Sequence, residues 1–218
     1  MIDLRKDGHI YILTLDNQDN TICLNWQEKI LVALDEMENN YHKGTALVMI
    51  GKDKFFSNGV NIDVMKKYNE SELKKFARTM LDIHRRLLLL PFPTVAAING
   101  HAFAGGAFLA LSLDYRIMRE DRGWISISEV DAGVPIPAPM MDILRTKLPP
   151  ATLRDAVLTG KRYTASEAIV DGLVDSTAPS EYLLAKATEL AVSLASKEPG
   201  IFKTLKQTLY GDLAARFA

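Results

Sequence analysis

The sequence predicts an α/β fold built on a parallel sheet. Short apolar runs, as buried strands show, alternate with stretches whose apolar residues recur every three or four positions, as on one face of a helix. This alternation ends at the pair Pro149-Pro150, after which helical patterns follow one another. We therefore expect a core at residues 1–150 and a helical C-terminal part at residues 151–218.

The first part of the chain predicts two strands with a helix between them. Residues 9–15 alternate well enough for a strand in which Ile10 and Ile12 face inward. Residues 46–50 are all apolar, which suits a strand buried on both faces. Between them, Asn25 is placed to cap a helix. The apolar face of that helix follows the helical period and consists of Trp26, Ile30, Ala33, Leu34 and Met37.

A longer helix is predicted from Asn69, because Glu72 three residues later completes the pattern of a capping box. Pro91 ends this helix, since proline cannot continue it. His84 precedes two arginines, so we expect it on a solvent-exposed face. The expected buried face consists of Leu73, Phe76, Ala77, Met80, Ile83 and Leu87.

Further strands and a helix are predicted in the middle of the chain. The strands are expected at residues 94–98, 115–118 and 124–127. A turn at Asn99-Gly100 follows the first of them, and a helix with small residues at its start begins at Ala104. The repeated order of strand and helix is the reason for expecting parallel strands.

The C-terminal part predicts helices only. Thr164 and Glu167 form a second capping-box pattern, and Gly172 is a suitable helix end. Two amphipathic helices are expected at residues 179–197 and 201–215, with no strand between them.

Composition excludes several classes of protein. Lysine and arginine total 26 and aspartate and glutamate total 27, a balance that argues against a nucleic-acid binder. No apolar run approaches the roughly 20 residues of a membrane-spanning helix, and the N-terminus lacks the apolar stretch of a signal peptide. The C-terminus lacks a peroxisomal address of the Ser-Lys-Leu type. We therefore expect a cytoplasmic protein without nucleic-acid or membrane partners.

Metal and nucleophile motifs are missing from the sequence. Cys23 is the one cysteine, which excludes an internal disulfide and a cysteine-rich zinc site. The four histidines are scattered without ligand-type spacing, so no metal site is expected. No serine lies in a Gly-x-Ser-x-Gly motif, so a hydrolase nucleophile of that type is not indicated.

Two glycine-containing segments are candidates for binding through the backbone. In residues 55–62, two aromatic residues lead into Ser57, Asn58 and Gly59, which form either a plain tight loop or a loop that offers N–H groups to a ligand. In residues 99–107, the pair Gly105-Gly106 begins a helix, whose first N–H groups lack partners and suit an anion or a carbonyl oxygen. The alternative is close helix-to-strand packing that only glycine permits.

A third segment, residues 125–137, offers a titratable group. Glu129 lies among apolar residues and prolines, where loss of water contact would raise the pKa of its carboxyl into a range useful for moving protons. The alternative is a glutamate at the end of a strand that faces water.

Taken together and in this order, the three segments resemble the crotonase family, the enoyl-CoA hydratases and isomerases. The resemblance runs from about Ile10 to Asp175. It also includes the stretches 93–100, 158–160, 165–168 and 172–174. The resemblance implies a crotonase-type spiral of repeated β-β-α units with a helical C-terminal part that packs subunits into a homotrimer or a dimer of trimers. It also implies an acyl-CoA thioester substrate and a place in fatty acid metabolism.

The resemblance also implies roles for individual residues. Two backbone N–H groups, those of Ser57 and Gly105, match the donors of an oxyanion hole for the thioester, and Glu129 matches a catalytic acid/base. The implied substrate-binding residues are Ser57, Asn58, Gly59, Val60, Asn61, Gly105 and Phe108. Coenzyme A is part of the substrate, so no separate cofactor and no metal is expected.

Three departures from the family pattern narrow the expected reaction. Phe108 stands where hydratases have the first of two glutamates, and Pro137 stands where dienoyl-CoA isomerases have a further acid. Asn61 stands where many relatives have aspartate. Of the family's catalytic groups, this leaves one acid/base opposite one oxyanion hole. That arrangement resembles the Δ3,Δ2-enoyl-CoA isomerases. Residues 114–123 and 128–131 look especially like the plant-type peroxisomal members.

The sequence therefore predicts an enoyl-CoA isomerase that moves a proton from C2 to C4 of the acyl chain. Phe108 is expected to line a dry wall of the site. Two alternatives stay open: another reaction of the same family, either a hydratase-like lyase or an acyl-CoA hydrolase, and a non-catalytic acyl-CoA-binding protein.

Overall fold

The structure is a computed structural model and describes residues 2–217. Along the chain the strands are β1 (Ile2–Asp7), β2 (Ile10–Leu15), β3 (Ala46–Gly51), β4 (Phe55–Ser57), β5 (Thr94–Ile98), β6 (His101–Phe103), β7 (Tyr115–Arg119), β8 (Ile125–Ser126) and β9 (Ser176–Ala178). The helices are α1 (Leu24–Asn39), α2 (Ile62–Met65), α3 (Glu70–Leu89), α4 (Gly105–Ser112), α5 (Glu129–Ala132), α6 (Ala138–Lys147), α7 (Pro150–Thr159), α8 (Ala165–Val170), α9 (Leu183–Ala195) and α10 (Pro199–Ala215).

The strands form two sheets. The larger has the order β1-β2-β3-β5-β7-β9, and the smaller has the order β4-β6-β8. The strand pairs are parallel except for β1 with β2. Three successive turns of the chain each give one strand to the larger sheet, then one to the smaller, and then enter a helix. This arrangement is the expected spiral of β-β-α units, so the predicted fold class is confirmed.

Both faces of the larger sheet are buried. Helices α1, α3 and α4 contribute to the main hydrophobic cluster on one side. On the other side, α9 places Ala187, Ala191 and Ala195 in a second cluster with Ile12 and Val48. Alanine at every fourth position lets this helix approach the strands closely. Strand β9 and helix α9 both come from residues 151–218, so this part of the chain completes the sheet and covers it.

Three details of the predicted helices are wrong. Helix α1 begins at Leu24 rather than after Asn25, because the hydroxyl of Tyr68 accepts the Leu24 N–H (3.0 Å) and no side chain caps the helix. His84 is fully buried on the face of α3 that packs against α4, where its Nδ1 lies 2.8 Å from the Ser112 hydroxyl. Leu73 and Ala77 are exposed because the buried stripe of α3 follows Phe76, Met80, Ile83, His84, Leu87 and Leu88 instead.

Four strands were not predicted. Strand β4 has three residues and lies in the segment 55–62, which was expected to be a loop. Strand β1 is an exposed edge strand rich in charged residues. Strand β6 has three residues and directly precedes a helix start, and β9 is short and mostly polar. The two capping boxes, at Asn69 and Thr164, are both present as predicted. No helix in residues 2–217 is long and apolar enough to cross a membrane.

Candidate active site

A cleft of about 240 Å³ opens where the three β-β-α turns meet. The loop after β4, the start of α4 and the start of α5 each provide part of its wall. Of the residues proposed from the sequence, it brings together Asn58, Val60, Gly105 and Glu129. The remaining lining residues are Ile62, Phe103, Ala104, Ser128, Ala132, Val134 and Arg162.

The loop after β4 holds one backbone N–H group free. Ile22 forms hydrogen bonds with the residues on both sides of Val60. The Ile22 N–H donates to the Gly59 carbonyl (2.8 Å), and the Asn61 N–H donates to the Ile22 carbonyl (2.9 Å). Gly59 takes φ +75°, a conformation that glycine adopts without strain. Within residues 2–217 the Val60 N–H has no hydrogen-bond partner, and Val60 lines the cleft.

The start of α4 holds a second free N–H group. Gly105 is the first residue of the helix, so its N–H has no acceptor within the helix. Ala104 precedes it with φ 46° and ψ −120°, a strained backbone conformation of the kind found at binding and catalytic sites. The Ala104 N–H donates to the Ser126 carbonyl (3.0 Å), which ties this turn to β8.

The two free N–H groups lie on backbone segments in direct contact. A Cβ atom added to Gly59 would come within 3.0 Å of the Gly105 nitrogen, and one added to Gly106 would come within 2.2 Å of the Ser57 carbonyl oxygen. Gly106 therefore allows the start of α4 to pack against Ser57 at the end of β4. Gly105 has more room and lines the cleft. Paired N–H donors with fixed positions are the arrangement that stabilises a developing oxyanion.

Ser57 and Phe108 do not lie at the cleft surface. Ser57 is fully buried, and its hydroxyl donates to the Asn20 carbonyl (2.6 Å) and accepts the Gly59 N–H (3.2 Å). Ser57 therefore supports the loop from behind, and the residue of this loop that presents a free N–H is Val60. Phe108 is 2% exposed and belongs to the hydrophobic core, so the apolar wall comes from Ile62, Phe103 and Val134 instead.

Asn61 also acts behind the cleft. The Asn61 side chain caps α2 by accepting the Val64 N–H (3.0 Å) and donates to the Thr21 hydroxyl (3.2 Å). An amide can accept and donate at once, so Asn61 fixes both the loop after β4 and the start of α2.

Glu129 is a half-buried carboxyl, not a glutamate that faces water. It is the first residue of α5, and its Oε2 atom is buried without a hydrogen-bond partner among residues 2–217. Burial raises the pKa of Glu129 to about 7, against a smaller opposing effect of a hydrogen bond with its own backbone. A carboxyl whose pKa lies near neutral can both accept and return a proton at ordinary pH.

Arg162 lines the cleft although nothing in the sequence singled it out. The residue after it, Tyr163, forms an isolated antiparallel bridge with Ile125, which brings Arg162 beside β8. Such a long-range bridge leaves no local pattern in the sequence. Within residues 2–217, no cluster of three His, Cys, Asp or Glu side chains is arranged to hold a metal ion.

Comparison with known proteins identifies the family. The model of the family described as enoyl-CoA hydratase/isomerase matches residues 5–216. The chain belongs to this family. Enoyl-CoA delta isomerase 3 of Arabidopsis thaliana is 34% identical to it over 98% of this chain and 93% of its own length. Peroxisomal enoyl-CoA delta isomerase 1 of the same plant is 36% identical over 89% of this chain and 80% of its own length.

Solved structures agree with this assignment. An enoyl-CoA hydratase from Mycobacterium ulcerans superposes with a TM-score of 0.92 and 27% identity, covering 99% of this chain and 94% of its own. The expectation of an enzyme in the enoyl-CoA hydratase/isomerase family is therefore confirmed. Relatives in this family are named as both isomerases and hydratases, so the reaction has to be argued from the cleft itself.

Proposed function

We propose that this member of the enoyl-CoA hydratase/isomerase family is a Δ3,Δ2-enoyl-CoA isomerase. The observation that carries the proposal is that Glu129 is the one carboxyl among the residues that line the cleft in the described part of the chain. A single acid/base suffices to move a proton along an acyl chain. The names of the two plant relatives support the same reaction.

The proposed reaction is a proton transfer within the substrate. The ionised Glu129 carboxylate takes a proton from C2 of a 3-enoyl thioester, and the electron pair spreads over C2, C4 and the thioester oxygen as a dienolate. Glu129 then returns the proton to C4, and the double bond moves from C3–C4 to C2–C3. No redox cofactor is needed, because the oxidation state of the substrate does not change.

The dienolate oxygen would be held by the backbone N–H groups of Val60 and Gly105. Both are free, and the segments that carry them are in contact. Such preorganised donors act where charge develops in the transition state and are worth roughly 10²–10³ in rate each. Val60 thus takes the role that the resemblance had suggested for Ser57.

Hydration is disfavoured by the same arrangement. In the hydratase pattern a second glutamate would occupy the position of Phe108, which here is part of the core. Adding water across a double bond needs one group to activate the water and one to deliver a proton, and Glu129 is alone in the cleft lining.

The proposal is tested with 3-hexenoyl-CoA, whose conversion produces the absorbance of the conjugated thioester. Glu129→Gln keeps shape and size but cannot accept a proton, so the rate should fall by about 10²–10⁴. Binding of hexanoyl-CoA should change little. The matched control is Asp131→Asn, an exposed carboxyl on the same short helix, which should keep its rate.

Other outcomes favour the alternatives. Rapid loss of the absorbance of 2-hexenoyl-CoA would favour a hydratase-like lyase, and release of free thiol would favour an acyl-CoA hydrolase. Binding of acyl-CoA without turnover of any thioester would favour a non-catalytic protein. A Glu129→Gln variant that retains most of its turnover would remove Glu129 from the mechanism.

We also propose that copies of the chain assemble into a homotrimer or a dimer of trimers. Helix α10 carries Ile201, Leu205 and Leu209 at intervals of four residues, and they are 61%, 62% and 66% exposed. Such an apolar stripe is unusual on the surface of a monomer and supports association. Light scattering after gel filtration should give the mass of three or six chains, and the mass of one chain would contradict this proposal.

The cytoplasmic location also remains a proposal based on the sequence. Enoyl-CoA delta isomerase 1 of Arabidopsis thaliana is named as peroxisomal, so the location of this chain needs its own test. A fluorescent fusion of the full chain should give a diffuse signal in the cytoplasm. Accumulation in a membrane-bound compartment would overturn the proposal.

A further inference from the structure

Arg162 is a cation at the cleft without an acidic partner. Its neighbour Lys161 lies 3.6 Å from Glu167 and 3.3 Å from Asp171, so the charge of that lysine is neutralised within the fold. In the described range 2–217, no carboxylate lies within ion-pair distance of Arg162. The side chain is exposed and lines the cleft, so its charge is available to a ligand.

Two aromatic rings and a backbone bridge hold Arg162 in place. The Tyr163 N–H donates to the Ile125 carbonyl and the Ile125 N–H donates to the Tyr163 carbonyl, both at 3.0 Å. The central carbon of the guanidinium lies 5.7 Å from the ring centroids of both Phe103 and Trp124. Contact with ring faces positions a guanidinium without using its N–H donors, which stay free for a ligand.

The surroundings of Arg162 are positively charged. His101 stacks on Phe103 with ring centroids 5.1 Å apart. The pKa of His101 is lowered, mainly by burial and further by the charges of Arg122 and Arg162. Arg122 donates to the Asp53 backbone carbonyl (3.2 Å). The charges of Arg122 and Arg162 both act on His101, so a second cation lies near Arg162.

We propose that Arg162 binds an anionic group carried by the thioester substrate, a phosphate or a carboxylate. The planar guanidinium offers parallel N–H donors that match either group in a two-point contact. The position on the cleft lining places the anion on the same molecule whose thioester lies near Val60 and Gly105. In that respect the inference rests on the proposed function, because the ligand is taken to be an acyl-CoA.

Phosphate and carboxylate have different sources on such a substrate. Phosphates belong to the nucleotide end of coenzyme A, whereas a carboxylate would lie at the far end of a dicarboxylic acyl chain. Three saturated thioesters separate the two sources: hexanoyl-CoA, hexanoyl-pantetheine without phosphates, and adipoyl-CoA with a terminal carboxylate. None of them can undergo a double-bond shift, so their binding is independent of the proposed isomerase reaction.

The experiment measures dissociation constants by calorimetry for the wild type, Arg162→Gln and the control Arg5→Gln. Arg5 is an exposed cation on the edge strand β1. A charged hydrogen bond in a partly exposed site is worth about tenfold in affinity. If the anion is a phosphate of coenzyme A, Arg162→Gln should bind hexanoyl-CoA about tenfold more weakly and hexanoyl-pantetheine as the wild type does.

If the anion is an acyl carboxylate, the tenfold loss should be confined to adipoyl-CoA. Equal affinities of wild type and Arg162→Gln for all three ligands would overturn the inference, and so would an equal loss for all three, because neither result depends on an anion. Arg5→Gln should bind as the wild type does. Failure of the wild type to isomerise 3-hexenoyl-CoA would refute the proposed reaction but would leave this binding result unaffected.

Discussion

A single half-buried carboxyl sets the chemistry that the cleft can perform. Burial of Glu129 at the cleft raises the pKa of its carboxyl to about 7. An ordinary glutamate, with a pKa near 4.5, would be a weaker base for the poorly acidic protons at C2.

The pKa of Glu129 predicts the pH dependence of the reaction. The ionised form is the base, so the rate should be highest well above pH 7 and should be lost as the pH falls through about 7. Turnover of 3-hexenoyl-CoA measured between pH 5 and 9 checks this limb. A rate that falls only near the ordinary glutamate pKa would contradict the assignment of Glu129 as a desolvated base.

The same shift affects stability with the opposite sign. Because the pKa of Glu129 is higher in the folded than in the unfolded chain, its contribution to stability is present below about pH 4.5 and is lost as the pH rises through about 7. The Glu129→Gln variant does not lose stability in this way, because glutamine does not ionise. In urea denaturation the variant should therefore gain stability relative to the wild type between pH 5 and 8.

At the scale of secondary-structure elements, the start of α4 shows what the sequence could and could not predict. The pair Gly105-Gly106 indicated a helix start with free N–H groups, which is present. The residue pattern alone did not separate the two glycines, although the family resemblance implied Gly105 as the donor. The contact of Gly106 with Ser57 shows that Gly106 is the glycine needed for packing. The sequence likewise did not show that Val60, and not Ser57, presents the free N–H of the loop after β4. The hydrogen bonds of Gly59 and Asn61 with Ile22 decide this, and they join distant parts of the chain.

The role of Gly105 is tested by two substitutions at that position. Gly105→Pro removes the N–H, and proline is well accepted at the first position of a helix. Its rate with 3-hexenoyl-CoA should fall by about 10²–10³. Gly105→Ala is the control, because it keeps the N–H and its Cβ atom would meet a flexible methyl of Ile22 at 3.3 Å.

Thermal unfolding of both Gly105 variants shows whether they are folded. A folded Gly105→Pro variant with wild-type turnover would exclude the Gly105 N–H as an oxyanion donor. Gly105→Ala should keep most of the wild-type turnover and its binding of hexanoyl-CoA, because its N–H is still present and its Cβ atom meets only a flexible methyl of Ile22.

At the scale of the whole molecule, periodicity predicted an α/β fold with parallel strands and the family resemblance implied the spiral, but neither predicted the long-range contacts of α10 with the core. The buried parallel strands β3 and β5 are continuous apolar runs and were recognised as such. Lys206 on α10 forms an ion pair with Asp114 before β7, and their charged atoms lie 3.0 Å apart. The two residues are 92 positions apart in the sequence, and both side chains are at most 10% exposed. A lysine within an amphipathic helix gives no sign that it is buried.

We expect the ion pair between Lys206 and Asp114 to hold α10 on the core. Lys206→Met leaves Asp114 buried without its cation, although the Thr94 N–H and hydroxyl still donate to it (both 3.0 Å). Unfolding by urea should show a loss of about 3 kcal/mol in the free energy of unfolding. Lys203→Met, an exposed lysine on the same helix, is the matched control and should change it little. Equal stability of the two variants would contradict the anchoring role of Lys206.

The central claim is that the cleft moves a proton and does not add water, and the products of one incubation test it most directly. The wild-type protein is mixed with 3-hexenoyl-CoA, and the thioesters are separated by chromatography over time. The account predicts that 2-hexenoyl-CoA accumulates and persists, because Glu129 acts without a second carboxyl at the position of Phe108. Accumulation of 3-hydroxyhexanoyl-CoA from the 2-enoyl product, or unchanged 3-hexenoyl-CoA, would contradict it.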